Sequence, residues 1–271
     1  NVDHCNTHSS FKDKVYMSNL CQEITLPTKP LNHIDDPDGE IALCILSAIN
    51  VGLIRQLDDL EELCELAVRA LEEIIDYQRY PIKAAEISTK ARRSLGVGYI
   101  GLAHYLAKNK TKYEDPESWK AVHDLTEAFQ YYLLKASNKL AQERGACEYF
   151  ERTKYSDGIL PIDTYKSDVD TIVENTLNYD WEALRVQIRE HGLRHSTLSA
   201  QMPSESSSVV SNATNGIEPP RGYLSVKKSK KGPLKQIVPQ YQTLKNNYSL
   251  LWDMPSNEGY INIVAVMQKF F

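Results

Sequence analysis

The feature that most constrains the fold is a near-continuous apolar run, EIALCILSAIN, at residues 40–50. Such runs are typical of a strand that is buried on both faces, as in a parallel sheet covered by helices. The turn signal DDPDG at residues 35–39 precedes the run. We therefore expect an α/β fold with a core strand within residues 40–50 and Cys44 inside that strand.

Most of the remaining chain has the periodicity of amphipathic helices. Asp180 is a candidate N-cap, and Pro81 and Gly145 are candidate helix stops. A short apolar piece at residues 198–202 is a candidate strand. The predicted helices cover residues 58–80, 83–93, 118–144, 181–191, 241–252 and 257–271. Helices separated by short apolar runs favour an α/β architecture.

The glycine-rich stretch GVGYIG at residues 96–101 has the spelling of a dinucleotide-binding loop. That motif requires a preceding strand, whereas the pattern of residues 84–95 predicts a helix. We therefore interpret these glycines as residues that permit close packing.

Length and composition limit the possible classes of protein. The 271 residues are 42 % hydrophobic, which is enough for a sizeable core, and the formal net charge of -5 gives no general attraction to nucleic acid or acidic membranes. A local basic cluster at residues 227–231 is predicted to be the solvated end of a hairpin. No run of about 18 apolar residues occurs, so no membrane span is expected.

The five cysteines lack the close pairing of a secreted disulfide framework, which favours a reducing, cytoplasmic setting. Cys64, on the apolar side of a predicted helix, is expected in the core. His4, Cys5 and His8 are too few for a closed zinc site, so no metal site is predicted. The chain begins with Asn1 and its last predicted helix has no cap, so we expect it to be a piece of a longer polypeptide.

The chemically informative stretch is NLCQE at residues 19–23. Asn19, Cys21 and Glu23 are two residues apart, so in an extended segment their side chains emerge on one side. An amide, a thiol and a carboxylate that face one space can hydrogen-bond hydroxyl groups, carry out sulfur chemistry and transfer a proton.

A second informative stretch consists of Pro203, Ser204, Glu205, Ser206 and Ser207, which follow the candidate strand at residues 198–202. Backbone N–H groups and hydroxyls at the start of a helix can bind phosphate oxygens. An ordinary serine-rich helix cap fits the same pattern, and the pattern alone leaves both interpretations open.

These stretches together resemble the large, catalytic subunit of class I ribonucleoside-diphosphate reductases of the bacterial and phage type. The resemblance runs essentially from end to end. It is carried by NVDHCNTH at residues 1–8, NLCQE at 19–23, Cys44 in its strand, PSESS at 203–207, and NATNGIEPPRG at 212–222.

The resemblance implies a ten-stranded α/β barrel with a finger loop through its centre. Residues 1–40 would form the finger-loop region, and residues 41–271 the strands and helices of the second half of a helix-rich barrel. The N-terminal regulatory domain and the C-terminal tail of the family would lie outside this chain. We therefore expect the 271-residue chain to be inactive alone, as an assay with the small subunit would show.

The resemblance also assigns roles to individual residues. Cys21 would carry the thiyl radical that takes the 3′ hydrogen of the ribose, Glu23 would accept the 3′-hydroxyl proton, and Asn19 would hydrogen-bond the ribose hydroxyls. Cys44 would be one of two reducing cysteines, its partner lying upstream of Asn1. Residues 203–207 would hold the substrate diphosphate.

Further components follow from the same resemblance. A metal-containing small subunit would supply the radical, ATP and dNTP effectors would bind outside this chain, and a thioredoxin or glutaredoxin system would re-reduce the enzyme. The subunit would act as a homodimer or with a complementary fragment, and neither nucleic acid nor a membrane is an expected partner.

Two other interpretations stay open. An anaerobic-type radical reductase shares the barrel and the radical cysteine, but Glu23 argues against it. A non-catalytic assembly or binding fragment, in which the cysteines are merely buried, is the alternative from a different functional class.

Overall fold

The computed structural model describes residues 10–230 and 232–271. The motif at residues 1–8, with His4, Cys5 and His8, lies outside the described residues. The α-helices are α1 Asp59–Tyr77, α2 Lys83–Arg92, α3 Leu102–Lys108, α4 Pro116–Arg144, α5 Pro161–Thr164, α6 Trp181–His191, α7 Glu205–Val210, α8 Tyr241–Leu244 and α9 Glu258–Met267. The strands are β1 Ile45–Asn50, β2 Leu95–Ile100, β3 Leu224–Ser229 and β4 Gly232–Ile237.

The centre of the fold is a parallel sheet in which β1 pairs with β2, from Ile45 opposite Leu95 to Asn50 opposite Ile100. Residues 197–201, which we call the third segment, lie along the other side of β2. The Val97 N–H donates to the Leu198 carbonyl at 2.8 Å, and the Ala200 N–H donates to the Val97 carbonyl at 3.1 Å. Within the described residues these three neighbours form an open part of a barrel and not a closed one.

The two paired strands differ in burial. All six residues of β2 are buried, whereas Ile49 is the buried residue of β1 and Leu46 is 45 % exposed. The expectation of a first strand buried on both faces is therefore wrong for this chain. The reason is that β1 is the edge strand of the described sheet, so the elements that pack on the faces of β2 cover β1 less completely. The strand also begins later than expected, so Cys44 lies immediately before β1 and not inside it.

β2 coincides with the glycine-rich stretch, which the sequence pattern did not identify as a strand. The close-packing role predicted for its glycines is confirmed. A Cβ atom on Gly96 would lie 2.6 Å from Leu46 Cδ2, and one on Gly98 would overlap the Ala200 carbonyl oxygen. Glycine thus lets both neighbours of β2 approach it closely.

Helix α4 is the longest element and packs against α1 through apolar residues at helical spacing. Cys64 of α1 is completely buried, and its thiol contacts the Phe129 carbonyl at 3.8 Å, which confirms its predicted place in the core. Fully buried large apolar residues on the two helices include Leu60, Val68, Ile75, Val122, Leu125, Phe129, Leu133 and Leu140. Burying each large side chain contributes about 1.5–3 kcal/mol.

A buried charge cluster lies where α1 meets the residues that precede β2 and the third segment. The Glu72 carboxylate, with no exposed surface, accepts from Arg93 Nε at 2.8 Å and from Arg194 Nε at 2.7 Å. His195 Nε2 lies 3.0 Å from the same carboxylate, and His195 Nδ1 lies 2.9 Å from Ser137 Oγ. We call these five residues the Glu72 cluster.

Local signals placed several helix ends correctly. Asp180 caps α6, accepting the Ala183 N–H at 2.9 Å, and α4 ends before Gly145, which has a φ of 84°. The helix predicted over residues 241–252 is wrong in length, because α8 stops at Leu244. Tyr248 is extended there, and its hydroxyl donates to the Pro239 carbonyl at 2.8 Å.

Strands β3 and β4 form the predicted antiparallel hairpin, with Ser229 opposite Gly232 at its end. None of the helices within residues 10–230 and 232–271 has the length and apolar character needed to cross a membrane.

Candidate active site

Residues 18–25 form a tight loop closed by an antiparallel bridge between Ser18 and Thr25. The Asn19 N–H donates to the Ile24 carbonyl at 3.2 Å, and Gln22 has a positive φ of 63°. The Asn19 side-chain oxygen accepts the Ile24 N–H at 3.3 Å. Asparagine often competes for backbone groups in this way, so the stretch turns and the expectation of an extended segment is wrong.

The turn separates the three side chains that alternation would have placed together. Asn19 and Cys21 are exposed, and Leu20 between them is 96 % exposed at the tip of the loop. Glu23 is half-buried and points into the protein. Of the three predicted residues, the structure therefore places only Glu23 in an enclosed environment.

Glu23 lines a cavity of about 510 Å³ that we call the Glu23 cavity. Its walls include Gln130 of α4, Ser199 of the third segment, and Tyr260 and Phe271 from the C-terminal part of the chain. Glu23 Oε2 is buried and has no hydrogen-bond partner among the described residues. Because an unsatisfied buried carboxylate oxygen is costly, a hydroxyl or other donor of a bound molecule would be favoured at this position.

Cys44 is the fourth predicted catalytic residue; it does not line the Glu23 cavity but lies close enough to Glu23 to be affected by its charge. Its thiol packs against Gly96, where an added Cβ would lie 2.7 Å from Sγ, so the glycine provides the space that the sulfur occupies. Burial, together with a smaller effect of the nearby negative charge of Glu23, raises the pKa of the Cys44 thiol to about 12. Cys44 is therefore a neutral S–H group at physiological pH, next to a carboxylate.

The hydroxyl cluster at residues 203–207 opens helix α7, as expected. Ser204 is buried and its hydroxyl donates to the Met202 carbonyl at 2.9 Å, while the Ser207 hydroxyl donates to the Ser204 carbonyl at 3.1 Å. Pro203, Glu205 and Ser206 are exposed. These residues follow the third segment but do not line the Glu23 cavity.

One group of possible metal ligands occurs in the described part of the chain: His123, Asp124 and Glu127. Its oxygens already accept hydrogen bonds. Glu127 Oε1 accepts the Trp181 Nε1–H at 3.0 Å and the Asn178 N–H at 2.8 Å, and Asp124 Oδ1 accepts from Asn178 Nδ2 at 3.0 Å. This arrangement attaches the start of α6 to α4, and its donor contacts leave little room for a cation.

Two residues were not identified from the sequence: Gly96, which contacts Cys44, and Gln130, which lines the cavity. Gly96 accommodates Cys44, and only the sheet pairing shows that role. Gln130 did carry a signal, because it falls between Thr126 and Leu133 on the apolar face of a predicted helix. A polar side chain at such a position is informative when it is buried without a partner.

Comparison with known proteins identifies the family. The whole chain, residues 1–271, matches the family described as ribonucleotide reductase, barrel domain. It is 62 % identical over 273 residues to the ribonucleoside-diphosphate reductase subunit alpha of Haemophilus influenzae, covering 100 % of this chain and 36 % of that protein. The ribonucleoside-diphosphate reductase 1 subunit alpha of Escherichia coli is 61 % identical over 273 residues, with the same coverage.

A phage relative is more distant. The ribonucleoside-diphosphate reductase subunit alpha of Enterobacteria phage T4 is 45 % identical over 276 residues, which cover 99 % of this chain and 36 % of the phage protein. The chain thus spans about a third of the length of these curated relatives. It belongs to the ribonucleotide reductase family, and the predicted class, part of a helix-rich α/β barrel, is confirmed.

Proposed function

We propose that this chain forms the reaction centre of the α subunit of a cytoplasmic ribonucleoside-diphosphate reductase, which converts ribonucleoside diphosphates to 2′-deoxyribonucleoside diphosphates for DNA synthesis. Family membership and the names of the relatives support the proposal. The observation that carries it is the unpartnered buried oxygen of Glu23 in a cavity beside the neutral thiol of Cys44.

The reaction begins at Cys21. Its thiyl radical takes the 3′ hydrogen of the ribose, which restores the thiol and leaves a carbon radical, while Glu23 accepts the 3′-hydroxyl proton and Asn19 hydrogen-bonds the sugar hydroxyls. Such a radical requires exclusion of water. Because Cys21 lies exposed on the loop, substrate or other segments of the complete subunit must cover it during the reaction.

Reduction then requires two thiols. As the 2′-hydroxyl leaves as water, Cys44 and a second cysteine supply two hydrogens and two electrons and join as a disulfide. The Cys21 thiol then returns its hydrogen atom to the 3′ carbon, which quenches the carbon radical and restores the thiyl radical. A neutral Cys44 is suited to donate its hydrogen. The other described cysteines with structural roles, Cys64 and Cys147, are buried, and the family resemblance assigns the second thiol to a segment upstream of Asn1.

The diphosphate would bind at Pro203, Ser204, Glu205, Ser206 and Ser207. The backbone N–H groups that begin α7 and the exposed Ser206 are available donors for phosphate oxygens. Glu205 would repel the diphosphate if it were free, but it pairs with Lys227 at 3.3 Å.

The complete enzyme would need further components. A metal-containing small subunit would generate the radical, a thioredoxin or glutaredoxin system would reduce the resulting disulfide, and ATP and dNTP effectors would bind to segments outside this chain. The α subunit would pair with a second copy or a complementary fragment.

Replacing Cys21 tests the proposal. In the complete subunit assayed with the small subunit, Cys21→Ser should abolish turnover, because the serine hydroxyl cannot form the radical under these conditions, whereas binding of a nucleoside diphosphate should be retained. The matched control is Cys147→Ser, which changes a buried thiol away from the cavity and should leave turnover intact. Turnover by the Cys21→Ser variant would contradict the radical role.

A further inference from the structure

Gln130 is a buried amide at the wall of the Glu23 cavity. It lies on α4 with only 2 % of its surface exposed, between residues that pack into the core. Its Oε1 atom has no hydrogen-bond partner among the residues that the structure describes. Leaving such a group unsatisfied costs stability, so a glutamine at this position needs an explanation beyond packing.

A second glutamine at the same cavity, Gln201, has an amide whose hydrogen bonds are made within the protein, and it serves as a comparison for Gln130. Gln201 Nε2 donates to the Tyr99 carbonyl at 2.8 Å, and Gln201 Oε1 accepts the Tyr99 N–H at 3.3 Å. Its side chain thus extends the hydrogen-bond ladder of β2, and both ends of its amide are bonded to the backbone of the protein. Gln130 has no comparable bond, and its carboxamide is the one offered to a bound molecule.

The surroundings of Gln130 indicate the kind of group that would bind there. The cavity wall includes the rings of Tyr260 and Phe271 and the side chain of Met267, which suit a planar apolar surface. Lys154 is the single cationic residue on the described wall, so the cavity as a whole is not built around a diphosphate. A flat ring with hydrogen-bonding edges fits this combination of amide and aromatic groups.

We infer that Gln130 contacts the nucleobase of the nucleoside diphosphate whose ribose lies at Glu23. This inference rests on the proposed function. The carboxamide offers a donor and an acceptor, and rotation about its last bond exchanges them. One side chain can therefore meet the different edges of several bases. Gln130 is a binding residue that positions the substrate and takes no part in the bond changes.

The experiment compares Gln130→Met with Gln142→Met, an exposed glutamine on the same helix, in the complete subunit. Calorimetric titration is carried out with a ribonucleoside diphosphate and with ribose 5-diphosphate, which has the sugar and diphosphate without a base. Gln130→Met should weaken nucleoside diphosphate binding about five- to tenfold and leave ribose 5-diphosphate binding unchanged. The Tm of the unliganded Gln130→Met variant should equal or exceed that of the wild type, because an unsatisfied amide is removed.

Other outcomes would overturn the inference. Equal weakening of both ligands would place the contact at the sugar or the diphosphate, and unchanged binding with a lower Tm would make Gln130 structural. Both results would leave the proposed function standing, whereas a wild-type subunit that binds neither ligand would overturn the proposed function itself. If Gln130→Met does not fold, Gln130→Asn, which keeps the amide but shortens its reach, carries the same expectation for binding, though not for Tm.

Discussion

The Glu72 cluster and the Glu23 cavity use the same side chain in opposite ways. Glu72 is fully buried and accepts from two arginines, with His195 also in contact, whereas Glu23 has a buried oxygen with no partner in the described chain. The first arrangement satisfies its charge within the fold and fixes the residues that precede β2 and the third segment. The second leaves an acceptor open to a cavity, which is the property of a binding site.

The contrast gives opposite expectations for mutants. Changing a satisfied buried charge should cost stability, because partners lose their bonds. Changing a buried carboxylate that has no hydrogen-bond partner should lower activity and have little effect on stability. Substitutions in the two regions can therefore test whether Glu72 stabilises the fold and Glu23 serves a binding site.

The largest effect is expected for Glu23→Gln. The amide keeps the size of the side chain but cannot accept a proton, which is the role proposed for Glu23, so kcat of the complete enzyme should fall by about 10²–10⁴-fold with little change in Tm. The measurement is turnover at saturating substrate with the small subunit present. Exposed Glu62→Gln is the control and should leave kcat unchanged. Wild-type kcat in Glu23→Gln would remove Glu23 from the mechanism.

For Glu72→Gln the expected loss is in stability. Two arginines, Arg93 and Arg194, would remain buried or partly buried next to a neutral amide, which should lower the free energy of unfolding by about 3–5 kcal/mol. Urea unfolding followed by circular dichroism measures the loss. The neighbouring Glu73 makes an exposed pair with Arg144 at 2.6 Å, so Glu73→Gln should have a much smaller effect. Equal losses of unfolding free energy in Glu72→Gln and Glu73→Gln would show that burial of an ion pair does not determine its contribution to stability.

The same cluster should make the protein sensitive to acid. Burial lowers the pKa of His195 below its usual 6.5, so the unfolded chain binds this proton first and stability falls as the pH drops below about 6.5. The pKa of Glu72 is also lowered, despite burial, by hydrogen bonds from His195 and the arginines. Its contribution is present above about pH 4.5 and is lost progressively below that value.

Unfolding midpoints at pH 7, 5.5, 4 and 3 test this dependence, with Glu72→Gln as the comparison. The variant lacks the carboxylate, so its stability should decline less steeply than that of the wild type below about pH 4.5. A decline of equal steepness in both proteins would assign the acid sensitivity to other groups.

The features of the fold that were predicted correctly from the sequence are those that nearby residues determine. The length of α4, its end at Gly145 and the Asp180 cap follow from periodicity and from side chains that bond nearby backbone groups. Strand β2 was missed because Gly96 and Gly98 have low intrinsic strand propensity. Their place in the sheet depends on the close approach of Leu46, Cys44 and Ala200, which are distant in sequence.

At the candidate active site, too, the contacts between residues that are distant in sequence could not be predicted. Alternation predicted one face for Asn19, Cys21 and Glu23, but the hydrogen bond from the Ile24 N–H to the Asn19 side chain turned the segment. Their chemical roles came from the family resemblance and remain predictions. The proximity of Glu23 and Cys44 depends on how the loop packs on the sheet, and no spacing rule encodes that.

The smallest effect on stability and binding is expected for a substitution in β2, the strand that lies between the Glu72 cluster and the Glu23 cavity. A Cβ in Gly98→Ala would overlap the Ala200 carbonyl oxygen, so the third segment must move away from β2 at a cost of about 1–3 kcal/mol. Gly222→Ala is the matched control, because its Cβ would lie an ordinary 3.8 Å from the Leu224 carbonyl oxygen. Since the third segment also forms a wall of the Glu23 cavity, Gly98→Ala should weaken nucleoside diphosphate binding as well as stability. A loss of stability with unchanged binding would show that the cavity tolerates displacement of this wall.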